Sequence, residues 1–429
     1  MTDSRVNVRA VVLELLLEIT GEQRLSHVAI GGALEKYQYM NKQDRAFLSR
    51  LTEGTLERML EIDYIIEQYS SVPMKKMKPV IQNLLRLSVY QLRYMDRIPD
   101  AAVCNEAVKL AQKKGFGDLK GFVNGVLRNI ARETREIVYP DLSTACSTPE
   151  WIVKQWTEEY GEDTAFRMLQ DQYEEKPLTI RVNIQKITRD RLKEKLRQEG
   201  IQAEEIQGMD CALAISDYDH LRSIPSFREG LFQVQDVSSM YAALMAAPKP
   251  GDYCIDVCAA PGGKSLHLAE LMNGSGMVEA RDLTPYKTGL IEENTARMNA
   301  QNVKAVQMDA TVFDRESVEK ADVVLADLPC SGLGVLRKKS DLKYRMTPEQ
   351  QKELVKLQRK ILDTVWQYVK PGGTLVYSTC TVHKQENERN TSWFLERYPF
   401  LLKEQVQMLP GVDPWDGFYI AKMERALHD

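Results

Sequence analysis

Paired cysteines, long apolar runs, phosphate loops and a strong net charge are all missing from this 429-residue chain. Its seven cysteines, Cys104, Cys146, Cys211, Cys254, Cys258, Cys330 and Cys380, include no CxxC pair. That excludes a zinc ribbon and argues against a disulfide framework. No apolar stretch is long enough for a membrane span: Val11–Ile19 is interrupted by Glu14 and Glu18, and a span needs about 20 residues. The opening MTDSRVNVRA has no apolar targeting core, so a reducing, cytoplasmic setting is expected. Neither GxxxxGK[ST] nor GxGxxG occurs, so a pyrophosphate cradle is not expected. The net charge is only −4, but it is uneven. Residues 1–140 carry 21 Lys and Arg against 17 Asp and Glu, and the remainder 36 against 44. A small basic excess at the front permits an RNA-facing domain without requiring one.

What is present reads as a globular chain. Hydrophobic residues make up 43% and charged residues 28%, which excludes disorder and fibres. The length suggests about three domains of roughly 150 residues. Residues 1–140 read as all-helical. Val8, Val11, Val12, Leu15, Leu16 and Ile19 recur at helix spacing before Gly21, and amphipathic runs follow at 44–60, 63–70, 79–94, 103–113 and 119–132. In the 79–94 run, Leu84, Leu85, Leu87, Val89 and Leu92 face inward, with Arg86 and Arg93 outside. A polar, proline-containing stretch near 139–148 suits a linker. Residues 145–235 form a small α+β segment: a helix from Trp151 to Tyr173, strands at 177–183, 211–215 and 231–234, and a helix at 188–199. Arg181 and Asn183 are candidates for phosphate contact, with an exposed strand edge as the alternative.

From residue 236 to 429 the pattern alternates strand and helix. Strands are expected at 253–257, 276–282, 303–308, 323–327, 374–378 and 417–423, with helices at 238–247, 265–272, 287–298, 348–369 and 386–397. Such alternation implies βαβ units, a parallel sheet and an α/β Rossmann-like domain. Ligands then bind outside the carboxyl ends of the strands. Chemistry-bearing residues fall on that edge. The loop Cys258-Ala259-Ala260-Pro261-Gly262-Gly263-Lys264 follows the first strand, and its glycines let backbone approach a ligand closely. Asp282, Asp309 and Asp327 close the next three strands. A carboxylate at the Asp282 position suits ribose hydroxyls, and the set suits a nucleoside with a small charged tail, such as S-adenosylmethionine. Cys330 lies just past the fourth strand and Cys380 just past the fifth, both in polar loops on the same edge. A thiolate is the strongest side-chain nucleophile near neutral pH. Added to cytosine C6, it turns the unreactive C5 into an enamine-like carbon that attacks a sulfonium methyl group. Asp327 is placed to promote that addition at the N3/N4 edge of the base.

Two resemblances can be named on these residues. NLLRLSVYQLRYMDRIPDAAVCNEAVKLAQKKGFGDLKGFVNGVLRNI, from Asn83 to Ile130, resembles the helical RNA-binding domain of the NusB antitermination factor family, which implies a role in RNA contact or assembly. DVCAAPGGKS, DLPCSGLGV and STCT together resemble RNA 5-methylcytosine methyltransferases of the Sun/Fmu type, over about residues 178–423. That resemblance implies S-adenosylmethionine bound by Cys258 to Lys264, Asp282, Asp309 and Asp327. It also implies Cys380 as the covalent nucleophile, Cys330 assisting product release, and 16S ribosomal RNA as substrate, with no metal and a monomeric chain. Spacing alone does not choose between Cys330 and Cys380; only the family pattern favours Cys380. The charged run from Arg337 to Arg345 is a further candidate for phosphate contact. Two readings of other classes compete: a non-catalytic RNA-binding assembly factor and a nicotinamide-dependent oxidoreductase. The intact acids and thiols speak against both.

Overall fold

The computed structural model describes residues 6–22, 24–133 and 135–427. The chain divides into two compact units, one of Met1–Tyr173 with Leu336–Arg345, the other of Glu174–Val335 with Met346–Asp429.

The first unit is helical. Val8–Gly21, Ser26–Lys36, Lys42–Glu57, Met59–Tyr69, Pro79–Tyr94, Asp100–Lys113 and Lys120–Arg132 are helices, followed by the shorter Leu142–Ala145, Glu150–Tyr160 and Glu162–Asp171. Pro79 opens its helix at the first position, where its missing N–H costs nothing. Leu84, Leu85, Leu87 and Val89 are buried as expected. Arg86 and Arg93 are half-buried rather than outside. Arg86 makes a two-pronged bond to Asp63, 2.7 Å on each arm, and Arg93 donates to the Ile130 carbonyl at 3.2 Å. The expected single helix from Trp151 to Tyr173 is two, because Gly161 takes φ 82 between them.

The run from Arg337 to Arg345 corrects a sequence expectation. Its middle is internal to the helical unit rather than offered to phosphate. Lys343 is fully buried and donates to the Glu57 carbonyl at 2.8 Å and to Gln172 Oε1 at 2.6 Å. Asp341 accepts from the Ser26 hydroxyl at 2.5 Å. Within the run only Lys338 and Lys339 are exposed.

The second unit holds two sheets. The smaller is antiparallel, in the order β2-β3-β1-β4, with β1 Leu178–Val182, β2 Gln202–Glu205, β3 Ala212–Ser216 and β4 Phe232–Val234. Ile180, Val182, Leu213, Ile215 and Phe232 pack with Leu192 and Leu196 of the Arg189–Gln198 helix. The larger sheet runs β10-β11-β9-β8-β5-β6-β7. Its strands are β5 Tyr253–Asp256, β6 Met277–Asp282, β7 Val303–Gln307, β8 Ala321–Asp327, β9 Val369–Thr379, β10 Phe400–Met408 and β11 Phe418–Arg425. β7, β6, β5, β8 and β9 pair in parallel, and β11 and β10 continue antiparallel. The order reverses between β5 and β8, so the crevice at their carboxyl ends is where such sheets bind ligands.

Candidate active site

Three loops meet at that crevice. The first follows β5. Gly262 takes φ 101, a left-handed conformation that costs a side-chain-bearing residue energy, and the Gly263–Leu271 helix starts directly after it. Asp256, at the end of β5, is held by the Ser265 hydroxyl at 2.6 Å. Burial pushes its carboxyl up to about 7, with Ser265 opposing. Asp282 at the end of β6 accepts from Ala260 N–H at 3.0 Å and Leu283 N–H at 2.7 Å and pairs with Lys287 at 3.0 Å. The glycine loop and the second strand end are thereby tied together. Asp309 follows β7, accepts from the N–H and hydroxyl of Thr311 at 2.8 Å each, and is held below the usual carboxylate range by those bonds.

The second and third loops carry the thiols. Lys264, from the glycine loop, pairs with Asp327 at 2.7 Å, and the Ser378 hydroxyl donates to the other oxygen of Asp327 at 2.8 Å. Burial alone would lower the Lys264 ammonium, but the adjacent charge of Asp327 and its hydrogen bond raise it. The chain from Lys264 through Asp327 to Ser378 links the loop after β5 to the end of β9, two residues before Cys380. Cys330 and Cys380 lie with their sulfurs 3.3 Å apart, neither of them in a disulfide. The hydrogen bond to Cys380, burial, and the charges of Glu386 and Asp327 hold Cys330 well above the ordinary thiol range. Either sulfur can donate in this contact. The loops also share backbone: Gly334 N–H donates to the Cys380 carbonyl at 3.1 Å, and Gly417 N–H to the Gly334 carbonyl at 2.8 Å. A Cβ on Gly334 would sit 2.2 Å from the Gly417 carbonyl oxygen, so this approach requires glycine.

The structure thus brings Cys258 to Lys264, Asp282, Asp327, Cys330 and Cys380 to one edge of the sheet, with Asp309 at the end of the neighbouring strand β7. Cys104 and Cys146 belong to the helical unit, Cys211 to the small sheet's surroundings and Cys254 to the buried face of β5. Two candidates fall away. Arg181 is fully buried, bound twice to Glu270 at 2.8 and 3.0 Å and to the Gly263 carbonyl at 2.8 Å, with Gln235 as a further acceptor. Asn183 is buried and donates to the Gly230 and Met298 carbonyls. Neither faces phosphate; Arg181 instead braces the glycine loop from below. Ser378, the first residue of the STCT motif but given no role by the sequence, is the hydroxyl that orients Asp327. Among the described residues no group of three or more His, Cys, Asp and Glu side chains is arranged to hold a metal ion, and no helix is long and apolar enough to cross a membrane.

A mixed sheet with this strand order and a five-stranded parallel part, a glycine turn after β5 and acids closing its strands defines an S-adenosylmethionine-dependent methyltransferase. Residues 243–424 match the 16S rRNA methyltransferase RsmB/F family, residues 148–218 the RsmF/B-like ferredoxin-like domain, and residues 6–132 the NusB family. The chain is 34% identical to a probable ribosomal RNA small subunit methyltransferase B of Bacillus subtilis, over 98% of this chain and 99% of that protein. It is 31% identical to ribosomal RNA small subunit methyltransferase B of Shewanella oneidensis, over 99% of this chain and 100% of that one. Among solved structures, a methyltransferase homolog protein from Pyrococcus horikoshii superposes with a TM-score of 0.60 at 27% identity, covering 67% of this chain and 100% of that one. The chain belongs to the RsmB/F family of ribosomal RNA small subunit methyltransferases. Its residues suit the cofactor. After burial, the charges of Asp256, Asp282 and Asp327 each raise the Cys258 thiol, so three acidic side chains stand close to the loop that would hold the cofactor.

Proposed function

We propose that this chain methylates carbon 5 of a cytosine in 16S ribosomal RNA through a covalent bond between Cys380 and carbon 6. The observation that carries this reading is the pair of sulfurs 3.3 Å apart beside the Lys264–Asp327 pair. The target base leaves its stack to reach them, which costs least in a loop or single strand. S-adenosylmethionine supplies an electrophilic methyl group, held by the Cys258 to Lys264 loop with Asp282 and Asp309. The Cys380 thiolate adds to C6, and the C5–C6 electron pair becomes available at C5. Asp327, fixed by Lys264 and Ser378, takes the N3/N4 edge of the base. Methyl transfer leaves S-adenosylhomocysteine; water then takes the C5 proton, the C5–H electron pair restores the C5–C6 double bond, and the C6–S pair leaves with Cys380 as a thiolate. The Cys330 S–H, already in contact with that sulfur, stabilises the departing charge.

The test is a pair of variants assayed on 16S ribosomal RNA. Cys380→Ala abolishes methylation and forms no adduct. Cys330→Ala slows turnover by roughly 10² to 10⁴-fold, the range of a lost proton-handling group, and accumulates a protein–RNA adduct stable on denaturing gels. If Cys380→Ala accumulates the adduct instead, the two roles are exchanged. If neither variant changes the rate, the thiols are not the reacting groups.

A further inference from the structure

Beneath the two thiols lies a buried carboxylate that the reaction itself does not use. Glu386 is fully buried, in the segment that leads from Cys380 into the Glu388–Leu395 helix. One of its oxygens accepts from the Ser331 backbone N–H at 2.9 Å and from Gln358 Nε2 at 2.9 Å. The other accepts from the Ser331 hydroxyl at 2.5 Å and lies 3.2 Å from His383 Nδ1. Ser331 is the residue after Cys330, and Thr381 the residue after Cys380. Their hydroxyl oxygens are 2.7 Å apart. Gln358 also donates to the carbonyl of Pro329, the residue before Cys330, at 2.9 Å. Asn387, beside Glu386, brackets Cys380 from the other side. It accepts from the Thr379 hydroxyl at 2.6 Å and donates to the Thr381 carbonyl at 3.0 Å. Both thiols are therefore flanked by residues pinned to one short stretch of buried chain.

An ionised carboxylate in a fully buried site is costly unless its acceptor capacity is filled. A neutral apolar side chain would fill the same volume without that cost. What a carboxylate does here that no apolar residue can is accept at once from the Cys330 loop, through Ser331, and from the Pro348–Val365 helix, through Gln358, fixing that loop against the segment after β9 that carries Glu386. We propose that Glu386 is a positioning residue: it holds the Cys330 and Cys380 sulfurs at their working separation through Ser331, Thr381 and Gln358, without touching RNA or cofactor. This rests on the reading that the two thiols perform the chemistry, and its test separates the two claims.

Glu386→Gln keeps the volume but replaces one accepting oxygen with an NH2 group. In one orientation the NH2 faces Ser331 N–H and Gln358 Nε2, donor against donors; in the other the Ser331 hydroxyl has to turn and accept, which redraws its contact with Thr381. Three readouts are taken on the full-length enzyme: kcat on 16S ribosomal RNA, calorimetric affinity for S-adenosylmethionine, and the rate at which hydrogen peroxide joins Cys330 to Cys380. In that last reaction one thiolate attacks the peroxide O–O bond, forming a sulfenic acid and releasing hydroxide. The second thiol then displaces water from the sulfenic sulfur, so two thiols supply the two electrons that reduce one peroxide. Glu386→Gln is expected to lower kcat roughly 100-fold, the cost of about 1 Å of misplacement, to slow the cross-link in parallel, and to leave cofactor affinity unchanged. Wild-type kcat and wild-type cross-linking in a folded Glu386→Gln protein overturn the proposal. So does a parallel fall of kcat and cofactor affinity with cross-linking intact, which marks a general structural role. Should Glu386→Gln fail to fold, Ser331→Ala decides. It keeps the backbone N–H bond and loses only the hydroxyl bonds to Glu386 and Thr381, so a lowered kcat and a slowed cross-link at unchanged cofactor affinity support the proposal, and wild-type values of both overturn it. Cross-linking does not require turnover, so it reports on Glu386 even if Cys380→Ala proves active.

Discussion

The interior of the helical unit and the interior beneath the thiols are both buried but differ in what mostly fills them. Around the Pro79–Tyr94 helix the buried residues are mostly apolar, among them Leu48, Leu51, Ile62, Ile65, Leu84, Leu85, Val89 and Leu127, with Asn83, Ser88 and Gln91 the buried polar side chains of the helix itself. Beneath the thiols, Ser331, Gln358, Thr381, Glu386, Asn387 and Asn390 are buried instead. The apolar interior draws its stability from area removed from water, which is non-directional and tolerates small shifts. The polar interior gains little net stability per bond, but each bond has a direction, and an unmade one is penalised. On the proposal that the two thiols carry the chemistry, the contrast fits two tasks: one region has to stay folded, the other has to keep two sulfur atoms in register.

That contrast makes substitutions in the two regions fail differently. The largest effect is expected at Cys380→Ala: complete loss of methylation, with a melting temperature at the wild-type value in calorimetry. A loss of stability as large as the loss of rate would blur the distinction. Next comes Arg181→Met, which strands Glu270 without its partner. It should cost about 3–5 kcal/mol in urea unfolding, and the added change Glu270→Leu should recover most of it, since two buried apolar groups suit each other where a lone carboxylate does not. No recovery in the double variant would show that the pair matters for something other than mutual neutralisation. Leu84→Ala in the helical unit should cost about 2–5 kcal/mol while kcat, measured below the melting transition, is unchanged. A kcat effect there would break the comparison.

The smallest effect concerns Lys343, buried in the helical unit. Burial pushes Lys343 down to about 7, while its unfolded value is about 10.4. Between those values the unfolded chain binds more protons, so the stability linked to Lys343 rises with pH in that window and is lost as pH falls through about 7. Urea unfolding at pH 7 and at pH 9.5 should show wild type gaining more from the higher pH than Lys343→Met does. Equal gains would mean that the lysine is charged throughout.

Local pattern carried the parts of the molecule whose neighbours are close in sequence. The strand–helix alternation after residue 236, the glycine loop and the strand-end acids all declare themselves within a few residues. Strand β5, expected at 253–257, is observed as Tyr253–Asp256. Elements that depend on tertiary context did not show. The Ser26–Lys36 helix contains Gly31 and Gly32, whose backbone entropy masks its helix signal. β10 and β2 are mostly exposed, so they lack the alternation that marks a strand. Lys343 reads as part of a charged run and is buried because Glu57 and Gln172, distant in sequence, supply its acceptors. Arg181 reads as a polar residue in a strand until Glu270, 89 residues on, appears beneath it. The thiols were visible as motifs, but their support was not: Glu386 lies 55 residues from Ser331, and nothing in either local sequence names the other.

The most direct test places labelled 16S ribosomal RNA with Cys330→Ala and with the Cys330→Ala/Cys380→Ala double variant, and runs both on a denaturing gel in the presence of S-adenosylmethionine. The account predicts a slow-migrating protein–RNA band in the single variant and none in the double. A band that survives loss of both sulfurs would contradict it.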